Sequence, residues 1–144
     1  MEIIYGNILA ESIKSSMKQK IDDIRAQKKR LPLLSVVLVG NNPASMSYVR
    51  GKEKACSSIG MLQRTIRLDE NVSQKELNDV IMSLNLDSEV DGILVQMPLP
   101  SHLDETAALE LIDPQKDVDG LHPMNAGCLL TNRPGFIPCT PQGV

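Results

Sequence analysis

The run Leu34-Ser35-Val36-Val37-Leu38-Val39-Gly40 decides the fold. Its short, apolar and largely β-branched composition is typical of a strand that is buried on both faces of a parallel sheet. Asn42-Pro43 follows at once and supplies an N-cap side chain and a proline for the first turn of a helix. The sequence therefore predicts a strand that leads directly into a helix, which runs to about Ile59 and stops at Gly60.

The same alternation of strand and helix continues on both sides of this run. Apolar residues at helical spacing predict a helix over about 7–29, and a capping box at Ser73–Glu76 starts another. Further strands are predicted over 62–68 and 91–96, and further helices near 103–111 and 124–130. Strands that alternate with helices indicate an α/β fold, here a three-layer αβα domain with a mainly parallel sheet.

Length and composition point to one soluble domain, residues 1–144. Apolar residues make up 42% and charged residues 23% of the chain, and its net charge is −3. Its basic residues are dispersed apart from Lys28-Lys29-Arg30, which we interpret as the end of the first helix, so nucleic acid is not an expected partner. We find no signal peptide and no apolar run near the ~20 residues of a membrane span.

Cysteine usage agrees with a cytoplasmic location. Cys56, Cys128 and Cys139 are widely spaced and form no C-x-x-C pair. We therefore expect reduced thiols in the cytoplasm, and neither a disulfide framework nor a zinc site.

Three polar side chains lie together on the predicted helix that follows Gly40. Ser45, Tyr48 and Lys52 span an arc of about 60° beside an apolar stripe that contains Val49 and Cys56. They could line a cleft at the edge of a buried face. Helical geometry also allows Lys52 to extend along the surface and Tyr48 to cover the core.

Two further segments carry polar groups at places where an α/β sheet binds ligands. Gln96 ends an otherwise apolar strand, either as a functional amide or as a satisfied strand-end amide. In Lys116-Asp117-Val118-Asp119-Gly120, the two aspartates could brace a loop, bind the polar edge of a ligand or, less plausibly, hold a divalent metal. His102 and His122 are isolated and favour surface or structural roles, and no glycine-rich nucleotide motif occurs.

These segments resemble the bifunctional methylenetetrahydrofolate dehydrogenase/cyclohydrolase family. The matching motifs cover essentially the whole chain in the family's order. They are Val39-Gly40 with Pro43-Ala44-Ser45, Tyr48-Val49 with Lys52, Asp91–Pro100, Lys116–Gly120, and Pro138-Cys139-Thr140-Pro141 with Gly143. The resemblance implies a substrate domain with a layout like that of the amino-acid dehydrogenases.

The resemblance also implies roles for individual residues. Lys52 matches the lysine that transfers protons when the methenyl bridge opens, and Gln96 matches the amide that orients it. Tyr48 matches the tyrosine that stacks on the folate, and Asp119 matches the carboxylate that holds the polar edge of the pterin. These four are the expected catalytic residues, and the expected substrate contacts add Ser45, Val49, Val95, Met97 and Pro98.

The implied reactions are oxidation of 5,10-methylene- to 5,10-methenyltetrahydrofolate with NADP or NAD, and hydrolysis to 10-formyltetrahydrofolate. Family members are homodimers and continue into a Rossmann domain that binds the nucleotide. Because this chain ends at Val144, we expect a truncated fragment that binds no cofactor, is inactive as a dehydrogenase and is weak as a cyclohydrolase. The alternatives are a non-catalytic folate-binding module, and a substrate domain of an amino-acid or shikimate dehydrogenase, against which the Asp91–Pro100 motif argues.

Overall fold

The computed structural model describes residues 6–142, which form six helices and three strands. The strands are β1 (Leu33–Val39), β2 (Leu62–Leu68) and β3 (Gly92–Val95). The helices are α1 (Gly6–Ala26), α2 (Pro43–Ile59), α3 (Gln74–Leu86), α4 (Glu105–Glu110), α5 (Pro123–Leu130) and α6 (Cys139–Gln142). The predicted α/β fold is confirmed.

All three strands are parallel and lie in the order β2-β1-β3. The central strand β1 pairs along its whole length with β2, and from Leu34 to Val37 with β3. Beyond β3, the backbone at Asp117 forms a single parallel bridge with Ile93. The carboxyl ends of the strands therefore meet at one edge, and the segment with the two aspartates is attached beside β3.

Side chains of β1 pack alternately against the two faces of the sheet. Val37 and Val39 belong to a core cluster with Leu77 and Ile81 of α3. Val36 and Leu38 belong to a second cluster, which includes Val49 of α2. Helices therefore cover both faces, as the three-layer prediction requires.

Helix α2 begins and ends where the sequence predicts. The side-chain Oδ1 of Asn42 accepts hydrogen bonds from the backbone N–H groups of Ala44 (2.9 Å) and Ser45 (3.2 Å). At the other end Gly60 has φ +77°, a left-handed conformation that residues with a Cβ rarely adopt. These two caps fix which residues of α2 face the sheet.

The first helix differs from its prediction in length and in the role of the basic run. It ends at Ala26, so Arg30 lies beyond it. The Arg30 guanidinium instead forms two hydrogen bonds with the Asp91 carboxylate, at 2.7 and 2.8 Å. The interpretation of residues 28–30 as a helix end is wrong, because Arg30 braces the entry to β3.

The apolar stripe of α1 is largely uncovered. Of its apolar side chains only Ile21 is buried, whereas Leu9, Ile13 and Met17 are exposed. None of the helices within residues 6–142 combines the length and the apolar content that a membrane crossing needs.

Candidate active site

Lys52 and Gln96 are joined by a hydrogen bond between α2 and the end of β3. The Lys52 Nζ donates to the Gln96 Oε1 over 3.0 Å, and both side chains are half-buried. Gln96 is held at the sheet because its backbone N–H donates to the Val37 carbonyl over 2.9 Å. Lys52 therefore points to a fixed partner and does not simply extend along the surface.

The Gln96 amide is oriented by its own neighbour. Its Nε2 donates to the Met97 carbonyl oxygen over 2.8 Å. Since a carbonyl can only accept, this bond fixes the amide nitrogen on the Met97 side and leaves Oε1 facing Lys52. The hydrogen-bonding groups of the strand-end amide are satisfied, as one interpretation expected. The Met97 carbonyl accepts from its nitrogen, and Lys52 donates to its oxygen.

Tyr48 lies one helical turn before Lys52 and does not cover the core. Its side chain is 68% exposed. An aromatic ring that is open to solvent beside a polar site offers a flat surface for stacking at a small cost in side-chain entropy. This placement fits the cleft interpretation of the α2 face.

Asp119 is half-buried and lines the same cavity as Lys52. Burial raises the pKa of the Asp119 carboxyl, the positive charge of Lys52 lowers it in part, and the negative charge of Asp117 raises it. Among the described side chains of residues 6–139 and 142, none donates a hydrogen bond to this carboxylate. The cavity has a volume of about 480 Å³, and its other walls are mainly apolar, including Leu94 and Val118.

A second cavity of about 310 Å³ opens at the carboxyl ends of β1 and β3. Pro98, one of the predicted substrate contacts, lines it together with Gly40 and Asn42. Met97 is half-buried and packs against the core cluster beneath the sheet.

The remaining predicted substrate contacts are buried. Val49 and Val95 belong to the two core clusters, so only their backbone is placed to meet a substrate. Ser45 is 2% exposed, and its hydroxyl has no hydrogen-bond partner among the described residues. Contact between these three residues and a substrate stays a prediction.

The two aspartates have different surroundings. Asp117 is 1% exposed, and its Oδ2 accepts hydrogen bonds at 2.9 Å from the His122 backbone N–H and from the Asn125 Nδ2. Within residues 6–142 no three His, Cys, Asp or Glu side chains lie together as a possible metal site. Asp117 therefore braces the loop, whereas Asp119 lines the cavity.

Several residues that support this loop were not identified from the sequence. The Lys116 Nζ donates to the carbonyl oxygens of Leu84, Asn85 and Asp87 at the end of α3, at 3.2, 2.8 and 2.8 Å. Asn125 is also buried, and its Nδ2 donates to the Asp117 Oδ2 over 2.9 Å. Their partners lie up to 32 residues away, so no local pattern reveals them. His122 caps α5, with its Nδ1 accepting from the Met124 N–H, and thus has the structural role expected of it.

The comparisons with known proteins identify the family of the chain. A family model described as the tetrahydrofolate dehydrogenase/cyclohydrolase catalytic domain matches residues 4–119. The bifunctional protein FolD of a Sulfurihydrogenibium species is 50% identical to this chain and covers all of it, whereas the chain covers 51% of that relative. The chain thus spans about half the length of the curated relatives that it matches.

Solved structures give the same result. The bifunctional FolD methylenetetrahydrofolate dehydrogenase/cyclohydrolase of Campylobacter jejuni superposes with a TM-score of 0.92 at 45% identity, over 96% of this chain and 49% of that one. The Trypanosoma brucei dehydrogenase-cyclohydrolase, solved with NADP cofactor and an inhibitor, has a TM-score of 0.89 at 36% identity, over 96% and 48% of the two chains. The chain belongs to the tetrahydrofolate dehydrogenase/cyclohydrolase catalytic-domain family, as its motifs predicted.

Proposed function

We propose that this chain supplies the folate site and the proton-transferring lysine of an enzyme that oxidises 5,10-methylenetetrahydrofolate and hydrolyses the 5,10-methenyl product to 10-formyltetrahydrofolate. The observation that carries the proposal is the Lys52–Gln96 hydrogen bond at a cavity that also contains Asp119. Both activities belong to the complete enzyme, because the relatives are about twice as long as this chain.

Hydrolysis needs a group that takes and returns a proton beside the methenyl carbon. A water oxygen forms a bond to that carbon, and the water proton passes to the Lys52 Nζ. The bond from the carbon to N5 then breaks, N5 receives the proton from Lys52, and the hydroxyl proton leaves to solvent as the formyl group forms on N10. A positioned side chain of this kind contributes about 10²- to 10⁴-fold to a rate.

The partner of Lys52 suits this exchange. Gln96 is neutral, so its amide orients Nζ through an accepting oxygen without a fixed negative charge in contact with the amine. The charge of Lys52 lowers the pKa of Asp119, although no hydrogen bond joins the two side chains. Lys52 is thereby aimed into the cavity while it is not bound to a carboxylate.

Tyr48 and Asp119 are suited to hold the folate. The exposed ring of Tyr48 offers a stacking surface next to Lys52. A carboxylate whose oxygens are not occupied by donors from the protein can accept two N–H bonds from an aminopyrimidinone ring. Ligand N–H groups at Asp119 would also offset the cost of holding this carboxylate in a half-buried position.

The nucleotide cofactor, NADP or NAD, is assigned to the other half of the complete enzyme. This chain has no glycine-rich dinucleotide motif. The cofactor would accept the hydride in the oxidation, and this chain would present the folate. The homodimer and the cytoplasmic location that the resemblance implies stay predictions.

The proposal is tested by the substitution Lys52→Met in an enzyme that combines this chain with the second half present in its relatives. We expect hydrolysis of 5,10-methenyltetrahydrofolate to slow at least about 100-fold. The rate is measured from the loss of absorbance of this substrate. Lys54→Met is the matched control, because Lys54 is exposed on the same helix.

Two results would contradict the proposal. Hydrolysis that survives Lys52→Met at the unmodified rate would remove the lysine from the mechanism. Tight binding of reduced folate with no turnover in the unmodified enzyme would favour the non-catalytic folate-binding module.

A further inference from the structure

Asn125 joins two points of the loop that contains Asp119 to the segment that follows α5. It lies in α5 and is 5% exposed. Its Nδ2 donates to the Asp117 carboxylate over 2.9 Å and to the Pro114 carbonyl over 3.0 Å. Its Oδ1 accepts from the Phe136 backbone N–H over 3.2 Å. Both amide hydrogens and the amide oxygen are therefore used.

The backbone before Asp119 is fixed against the sheet. The Asp117 backbone is bridged to Ile93 of β3. Val118 packs so closely on Gly92 that a Cβ there would lie 2.6 Å from the Val118 Cγ1. The two bonds from Asn125 to Pro114 and Asp117 act on this side of Asp119.

The backbone after Asp119 is fixed by the segment 136–138. Gly120 has φ +68°, and a Cβ there would lie 2.8 Å from the Phe136 oxygen and 2.9 Å from the Pro138 nitrogen. This segment is held in place at Phe136 by the bond to the Asn125 oxygen. Asn125 thus acts on both sides of Asp119 without touching it.

We propose that Asn125 is a positioning residue for Asp119, and that it sets the direction in which this carboxylate meets the polar edge of the substrate. The proposal rests on the proposed function for the identity of the ligand. The geometry of the loop can be tested without any ligand, so the two can fail separately.

The first test is a double-mutant cycle on the binding of 5-formyltetrahydrofolate, a stable reduced folate, measured by calorimetry on the full chain. We expect Asn125→Ala to weaken binding about tenfold in the unmodified chain and less than about twofold in the Asp119→Asn background. A purely structural role would weaken binding by the same factor in both backgrounds, and that result would overturn the proposal.

The second test measures the pKa of Asp119 by carboxyl NMR in the absence of ligand. Burial holds this pKa above its ordinary value of 3.8. If Asn125→Ala loosens the loop, the Asp119 carboxyl should become more exposed to water, and its pKa should lie nearer to 3.8. Asn125→Ser, which keeps one hydroxyl in place of the amide, is the second variant if Asn125→Ala does not fold. An unchanged pKa in the folded variant would contradict the proposal.

Asn85→Ala is the matched control. Asn85 is also a loop-bracing amide, half-buried where Asn125 is buried, and it donates to the Leu111 carbonyl over 2.8 Å and accepts from the Asp113 N–H over 2.9 Å. We expect it to lower stability but leave the pKa of Asp119 unchanged. If the unmodified chain binds no reduced folate, the proposed function fails for this chain, and the Asp119 titration alone decides the inference.

Discussion

Asp117 and Asp119 are separated by one residue and have opposite environments. Asp117 is fully buried and accepts two hydrogen bonds, so its charge is compensated. Asp119 is half-buried, accepts no hydrogen bond from the described side chains of residues 6–139 and 142, and burial raises its pKa. The first carboxylate stabilises the loop, whereas the second is held at a cost to stability that a ligand could offset.

The two faces of helix α2 also differ in burial. Val49 is buried in the core, and one turn of helix separates the exposed Tyr48 from the half-buried Lys52. The residues that hold the site in place have their polar groups satisfied within the protein. Among the residues that are proposed to meet the substrate, Tyr48 is exposed and Asp119 accepts no hydrogen bond from the described side chains of residues 6–139 and 142, whereas Lys52 is bonded to Gln96.

Asp117→Ala is expected to have the largest effect on stability. It leaves the His122 N–H and the Asn125 amide without an acceptor in a buried loop, so the free energy of unfolding should fall by about 3 kcal/mol. Urea denaturation measures this change. If the loss were below about 0.5 kcal/mol, as for a surface substitution, Asp117 would not be a brace.

Asp119→Asn is expected to have a smaller effect of the opposite sign. Because the pKa of Asp119 is raised, the folded chain binds its proton more tightly than the unfolded chain does. Stability therefore falls as the pH rises through that pKa, and the substitution removes this loss. The variant should be more stable than the unmodified chain at pH 7.

The pH dependence separates this effect from a change in packing. The gain should shrink as the pH is lowered from 7 and vanish below the ordinary value of 3.8, where the carboxyl becomes protonated in both states. Urea denaturation at several pH values would test it. A gain in stability that is independent of pH, or a loss of stability at neutral pH, would show that the buried charge of Asp119 does not destabilise the folded chain.

Most of the fold could be predicted from local patterns. The β-branched run of β1, the cap at Asn42, Gly60 after α2 and the capping box at Ser73 each depend on a few neighbouring residues. Contacts between distant residues could not be predicted in this way. Arg30 pairs with Asp91 across 61 positions, and the apolar stripe of α1 does not reveal that it is left uncovered.

The candidate site was predictable only in part, for the same reason. Helical spacing brings Tyr48 and Lys52 together but does not say whether Lys52 has a partner, and Gln96 lies 44 residues away. The family motifs identified that partner, and the structure contains the hydrogen bond. Local pattern left both Asp117 and Asp119 open to either role, and only the family resemblance assigned the ligand to Asp119, because the donors to Asp117 are the His122 N–H and the Asn125 amide.

The most direct test of the different roles of Asp117 and Asp119 is carboxyl NMR of the chain during titration with 5-formyltetrahydrofolate. If Asp119 receives the polar edge of the folate, its carboxyl signal should move and its pKa should fall, because N–H donors favour the charged form. The Asp117 signal should stay where it is. Saturating folate that leaves Asp119 unchanged, or that moves Asp117 instead, would contradict the assignment of the two carboxylates.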